Sequence, residues 1–198
     1  MKKHKLVTRV SALETKQIEL LAEIGRLRRE MVDMERLSHT DGLTNVGNGR
    51  AFSKAIKHGI GNYKQKGEKF VLVVADINDL KPINDKKGHE EGDRLIKEAA
   101  DILVSTGRKT DSVFRIGGDE FAVILPNTSN GLPFKERLGK QCMSKNISMA
   151  SGWSTLSHLP SLPLSQKEIA EYLFKLADSQ MYDEKARIKA IKILGHNS

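Results

Sequence analysis

Residues 114–125, Phe-Arg-Ile-Gly-Gly-Asp-Glu-Phe-Ala-Val-Ile-Leu, constrain the fold more than any other stretch of the chain. An apolar run enters a Gly-Gly pair, two carboxylates follow, and a second apolar run leaves. That pattern predicts strand, tight turn, strand. The glycines predict a backbone with positive φ at the tip and open space for a bulky ligand. Asp119 and Glu120 stand side by side at that tip, where like charges oppose one another unless a cation lies close by. A hard divalent ion with oxygen ligands suits such a pair. Gly-Gly-Asp-Glu alone equally fits an ordinary solvated turn, so the decision rests on a second acidic site.

That site follows Phe70-Val71-Leu72-Val73-Val74-Ala75, a continuous β-rich run predicting a strand buried on both faces. The run ends in Asp76, where a carboxylate has core behind it and solvent ahead. Asp76 and Asp119, with backbone carbonyls and nucleotide phosphates, would complete an octahedral magnesium shell. Beyond Asp76 the pattern predicts a short helical turn, a break at Gly88 and a helix from about Glu90 to Val104. Lys81 lies within a turn or two of the acidic strand end and suits a phosphate. Asn84 and Asp93 border the same cleft, and an Asn with a carboxylate can pair with the edges of guanine, which offers N1–H and N2–H₂ donors.

The N-terminal part is of a different kind. Leu6, Val10, Leu13, Gln17, Leu20, Ile24, Leu27, Met31 and Met34 alternate steps of four and three. Val10, Gln17, Ile24 and Met31 fall at a, and Leu6, Leu13, Leu20, Leu27 and Met34 at d, which predicts a parallel two-stranded coiled coil with Gln17 helping to set register. The seam stops near Leu37, and Ser38-His39-Thr40-Asp41-Gly42 marks a boundary between a coil at 1–38 and a domain at 39–198. Residues 41–50 read as a loop entering a helix from about Asn48 to Lys64, with Asn48 as N-cap.

The 198 residues suffice for one full domain and an appendage. No apolar run approaches the ~20 residues of a membrane helix, and no apolar segment follows the basic start, so a cytoplasmic protein without membrane insertion is expected. The single Cys142 excludes an internal disulfide and predicts a small buried apolar residue. The net charge of +8 favours an anionic partner. Sparse aromatics, not interleaved with basic runs, argue against nucleic acid as that partner.

Asp41-Gly42-Leu43-Thr44, the stretch from Asp76 to Asp93, Arg115 to Phe121, and Ala177-Asp178 with Met181-Tyr182 and Lys185 occur in an order that resembles the GGDEF domain of bacterial diguanylate cyclases. The resemblance spans about Asp41 to Lys189. It implies an α/β (α+β) fold like the palm of nucleotidyl cyclases and polymerases: a central, mostly antiparallel sheet flanked by helices, here preceded by the long coiled-coil helix. It implies an enzyme that joins two GTP into cyclic di-GMP with release of pyrophosphate, using Mg²⁺ or Mn²⁺. Asp76 and Asp119 would be side-chain metal ligands and the Ile77 carbonyl a backbone ligand. Glu120 would deprotonate or orient the attacking 3′-hydroxyl. Asn84 and Asp93 would read guanine. Lys81, Asp79, Leu80, Lys185 and Lys189 would hold the triphosphate, with Lys189 standing where the family usually has Arg, which weakens a bidentate grip. Asn78 replaces a frequent Asp, and Gly49 a usual Arg.

Arg108-Lys109-Thr110-Asp111 matches the family's RxxD inhibitory product site, and Arg115 a basic position beside the hairpin. The helix expected from about Phe134 to Met143 is short for the family, leaving secondary product contacts open. Ile147 to Trp153 reads as a strand, with Trp153 in the core. Gln166 to Ile193 reads as a long helix with Leu173, Leu176, Ala177 and Tyr182 on one face. One such domain holds one GTP, so the resemblance implies a homodimer, which the N-terminal seam would supply. The alternative is a catalytically inactive domain serving as a cyclic di-GMP receptor.

Overall fold

A computed structural model describes residues 2–160 and 162–195, and their side chains except those of 2–12, 15, 33, 35–37 and 195. It divides into two compact units, Met1–His39 and Thr40–Ser198.

The first unit is one helix, α1 (Lys2–His39). Leu13, Leu20, Ile24, Leu27, Met31 and Met34 are all exposed along it. Such a stripe leaves a large part of its apolar surface in water. Arg26 bridges Glu23 and Glu30 on this helix, each at 2.6 Å. The Leu6 and Val10 side chains of the expected seam lie outside the described residues.

The second unit runs β1 (Gly47–Asn48), α2 (Gly49–Lys66), β2 (Phe70–Ile77), α3 (Leu80–Lys87), α4 (His89–Thr106), β3 (Ser112–Arg115), β4 (Glu120–Pro126), α5 (Leu132–Lys145), β5 (Met149–Thr155), a 3₁₀ turn at Leu156–His158 and α6 (Gln166–Gly195). The five strands form one sheet in the order β1-β3-β4-β2-β5. Only the β1–β3 pairing is parallel. The 41–50 segment, expected as loop, therefore contributes a two-residue edge strand. Its backbone is drawn into the sheet by pairing with Phe114 and Arg115. Asn48 caps α2, accepting hydrogen bonds from the Arg50 and Ala51 N–H groups.

Strand β2 is buried at all eight positions. Its side chains alternate between two cores. Val71, Val73, Ala75 and Ile77 pack with Ile96, Ala99 and Leu103 of α4 and Phe134, Leu138 and Cys142 of α5. Phe70, Leu72 and Val74 pack with Ile56 and Ile60 of α2 and Ile169, Leu173, Ala177 and Met181 of α6. The apolar run is continuous because both faces of the strand are covered. Cys142 belongs to the first core, and burial pushes its thiol up to about 11, so it is inert at neutral pH.

The buried row of α6 is Ile169, Leu173, Ala177, Met181, at strict four-residue spacing. Tyr182, expected on that face, is exposed, because Met181 occupies the inward position one residue earlier. Helix α6 also covers the free edge of β5. The Ser151 N–H donates to Glu184 at 2.5 Å and the Trp153 N–H to Gln180 at 3.3 Å. An edge strand is thereby capped by side chains instead of being left open for another chain. The approach is close: a Cβ on Gly152 would lie 2.0 Å from the Ala177 carbonyl oxygen and 2.5 Å from the Met181 nitrogen.

Gly152→Ala is therefore expected to lift α6 off β5 and cost about 1–3 kcal/mol, read as a lower melting temperature. A Cβ on Gly139 in α5 would meet nothing within 4 Å. Gly139→Ala is expected to be neutral or to add up to about 1 kcal/mol from helix propensity.

Candidate active site

The alternation that fills two cores also sets the direction of the site carboxylates. Asp76 shares the parity of Leu72 and Val74, and Glu120 that of Ala122 and Ile124, so both point to the side covered by α2 and α6. They are direct cross-strand partners. The four-residue row of α6 continues past Met181 to Lys185, whose Nζ lies 2.6 Å from Asp76 Oδ1. Asp119 is in the hairpin turn, where its carbonyl accepts the Ile77 N–H at 3.1 Å. The expected acidic centre is thus assembled from β2, the β3–β4 turn and α6.

Its electrostatics follow from burial and crowding. Burial is the largest influence on Asp76 and raises its carboxyl pKa; the Lys185 hydrogen bond opposes this, and the charges of Asp119 and Asp178 add to the rise. Burial also raises Glu120, reinforced by Asp119, Asp76 and Asp178. Lys185 loses hydration, but its hydrogen bond and attraction to Asp76, with Asp119 and Glu120, outweigh that and raise its pKa. Asp178, on α6, is therefore a fourth carboxylate acting on this centre. The sequence signal for it was its place seven residues before Lys185, two helical turns away on the same side.

The hairpin tip departs from the expected turn chemistry. Neither Gly117 nor Gly118 has a positive φ. Gly117 is needed for space instead: a Cβ there would lie 2.5 Å from Glu120 Oε2. Arg115 closes the tip, donating from Nη2 to the Gly118 carbonyl at 2.8 Å and pairing with Asp41 at 3.3 Å. Burial disfavours ionised Asp41, yet hydrogen bonds from Thr44 and the Arg115 charge hold its carboxyl below the usual range. Arg115 and Asp41 thus tie the N-terminal loop of the domain to the hairpin.

The remaining predicted residues fall in three places. Asn78 is buried and donates to the Ser148 hydroxyl at 2.9 Å. Asp79 has φ 62 before α3, and its carboxylate pairs with Lys192, a residue not singled out from sequence. Leu80 packs against the first core, while Lys81 and Lys189 are exposed. Asn84 on α3 is half-buried against α4, where Asp93 is exposed. Arg108 and Asp111 lie near the other end of β4, lining a cavity of about 90 Å³ with Pro126, Phe134 and Arg137. Asp111 accepts the Arg108 N–H at 2.7 Å, closing that loop. Arg137, on α5, is a further basic residue at this cavity that was not singled out from sequence, and α5 itself runs two residues further at each end than expected.

Among the described residues no three His, Cys, Asp or Glu side chains form a ready metal cluster. The local chemistry suits a cation: carboxylates raised by burial and, secondarily, by one another's charge, with an ammonium seated on the most buried of them. Two carboxylates, a backbone carbonyl and phosphate oxygens make up an oxygen shell of the kind Mg²⁺ accepts. Among the described residues, no helix is long and apolar enough to cross a membrane.

A mostly antiparallel sheet with acidic groups at one end of its central strands, backed by a lysine-bearing helix, has the architecture of the nucleotidyl cyclase fold. The family model "Diguanylate cyclase, GGDEF domain" matches residues 38–190, and the chain belongs to that family. Diguanylate cyclase DgcS of Shewanella oneidensis is 33% identical over 156 residues, covering 78% of this chain and 52% of DgcS. The chain thus spans about half the length of that relative. The coiled coil and GGDEF domain of DgcB from Caulobacter crescentus, solved in complex with c-di-GMP, has a TM-score of 0.73 at 25% identity, covering 88% of this chain and 94% of that one. Diguanylate cyclase SiaD from Pseudomonas aeruginosa, solved with its activator SiaC, shares the fold with a TM-score of 0.67 at 23% identity, over 93% of this chain and 75% of that one.

The raised Glu120 carboxyl has a definite consequence for stability. The folded chain holds that proton to higher pH than the unfolded chain, so the metal-free protein loses stability as pH rises through the carboxylate range, and the loss persists at neutral pH. Glu120→Gln is expected to raise the metal-free melting temperature at pH 7. The gain should vanish below about pH 3, well under the ordinary Glu pKa of about 4.3, where the wild-type carboxyl is protonated in both states.

Proposed function

We propose that this chain is a diguanylate cyclase, condensing two GTP into cyclic di-GMP with release of two pyrophosphates. The observation that carries this reading is the cross-strand pair Asp76–Glu120 at the end of β2, with Asp119 in the adjoining turn and the Lys185 ammonium on Asp76. Asp76, Asp119 and the Ile77 carbonyl would hold Mg²⁺ or Mn²⁺. When bound, the metal supplies positive charge against the negative charge that builds on the phosphates during phosphoryl transfer.

The chain's own groups do the rest. Asn84 and Asp93 bind the guanine edge. Lys81, Lys185 and Lys189, with the Asp79–Leu80 backbone, bind the triphosphate, and Lys185 exchanges its Asp76 partner for a phosphate oxygen. Glu120 orients the 3′-hydroxyl of the facing nucleotide and takes its proton, a task suited to a carboxylate with a raised pKa. The 3′-oxygen forms its bond to the α-phosphorus as the bond to pyrophosphate breaks, and the same step on the facing nucleotide closes the ring.

Two domains must face one another for this chemistry, and the exposed stripe of α1 supplies a parallel two-stranded coil that joins them. Arg108, Asp111 and Arg137 around the cavity of about 90 Å³ form the inhibitory product site. DgcB, solved with c-di-GMP, supports product binding as a property of the fold.

Incubation of the chain with GTP and Mg²⁺, followed by chromatography, should yield cyclic di-GMP. A verified dimer that makes none, yet binds the dinucleotide, would instead be a receptor. Asp119→Asn and Glu120→Gln should each lower turnover by about 10²-fold or more. Removal of residues 1–37 should abolish turnover at low protein concentration and restore it only as concentration rises. Arg108→Ala should leave initial turnover intact and relieve inhibition by added cyclic di-GMP.

A further inference from the structure

Helices α3 and α4 meet where there is no room for a side chain. A Cβ on Gly92 would lie 1.9 Å from Asn84 Oδ1, 2.9 Å from its Cγ and 3.3 Å from its Nδ2. Oδ1 and Cγ both lie under 3.0 Å, and Cγ does not move when the amide turns about its last torsion, so that rotation alone does not relieve the clash. The backbone gives no separate reason for glycine, because Gly92 has no positive φ and lies within α4, where alanine is the better helix former. Asn84 is unusual in its turn. Its Oδ1 is the only buried side-chain oxygen or nitrogen among the described residues that lacks a hydrogen-bond partner. One contact therefore combines a helix-interior glycine with an unpaired buried acceptor. Both work against stability, and departures of this kind concentrate at functional sites.

We infer that Gly92 is the positioning residue for base recognition. Its missing side chain lets the Asn84 amide seat against the α4 backbone, one residue before Asp93. The amide of one helix and the carboxylate of the next are thereby held at a fixed separation, which the guanine edge spans. This inference rests on the proposed reading of Asn84 and Asp93 as base-binding residues. It adds that discrimination between purines is set by the distance between α3 and α4 at position 92. Any side chain at 92 displaces the amide, leaving the triphosphate groups at the start of α3 and on α6 in place.

The test is equilibrium titration of the full chain with the α,β-methylene analogues of GTP, ITP and ATP, which are not turned over, alongside melting temperatures. Gly92→Ala is expected to weaken the GTP analogue by about tenfold or more, to compress its preference over the ITP and ATP analogues, and to leave the ATP analogue's affinity unchanged. Asn84→Ala should do the same. The double variant should be no worse than Asn84→Ala alone, since the clash has lost its partner. Gly92→Ala with wild-type affinity and selectivity, beside an impaired Asn84→Ala, overturns the inference and leaves the base-reading assignment standing. Asn84→Ala with unchanged selectivity overturns both. Losses that multiply in the double variant also overturn it. If Gly92→Ala does not fold, the double variant must recover folding, and its failure to do so counts against the inference.

Discussion

A carboxylate on a strand buried along its whole length has little access to water, so its surroundings must answer its charge. Asp76 is that carboxylate, and the Lys185 ammonium at 2.6 Å is the answer within the chain. The pair depends on everything beneath it. β2 must be covered on both faces, α6 must lie closely enough on β5 to leave no Cβ at Gly152, and the inward row of α6 must run one turn beyond Met181. Packing of the second core and placement of the charged group are one arrangement, because the same four-residue spacing produces both.

The centre is held in electrostatic tension. Asp119, Glu120 and Asp178 act on Asp76 or on one another, and a single lysine offsets them in part. Such a cluster of buried and mutually repelling carboxylates lowers the stability of the domain. The hairpin tip is braced accordingly. Arg115 grips the Gly118 carbonyl and Asp41, Gly117 yields space to the Glu120 carboxylate, and the Ile77 N–H reaches the Asp119 carbonyl. These contacts keep repelling groups together at a point where a free turn would let them separate.

The end that carries Asn84 and Asp93 is built differently. Its residues come from two short-connected helices instead of the sheet, with Gly88 at φ 87 turning the chain between them. The cavity of Arg108, Asp111 and Arg137 lies near the far end of β4, away from the acidic centre.

Much of this was legible in the chain. The unbroken run at 70–75 announced a doubly covered strand, the Gly-Gly-Asp-Glu tip announced a hairpin with acidic groups, and the four-three spacing before Leu37 announced a helix with an apolar stripe. Those signals are local, carried by residues a few positions apart. Tertiary structure decided what depends on contacts between distant segments: the drawing of Gly47 and Asn48 into the sheet, the inward turn of Met181 in place of Tyr182, the entry of Asp178 and Lys192 into the charged network, and steric in place of conformational demands on Gly117 and Gly92. Periodicity assigns a residue to a face, but only the approach of another element determines how much room and what charge that face will meet.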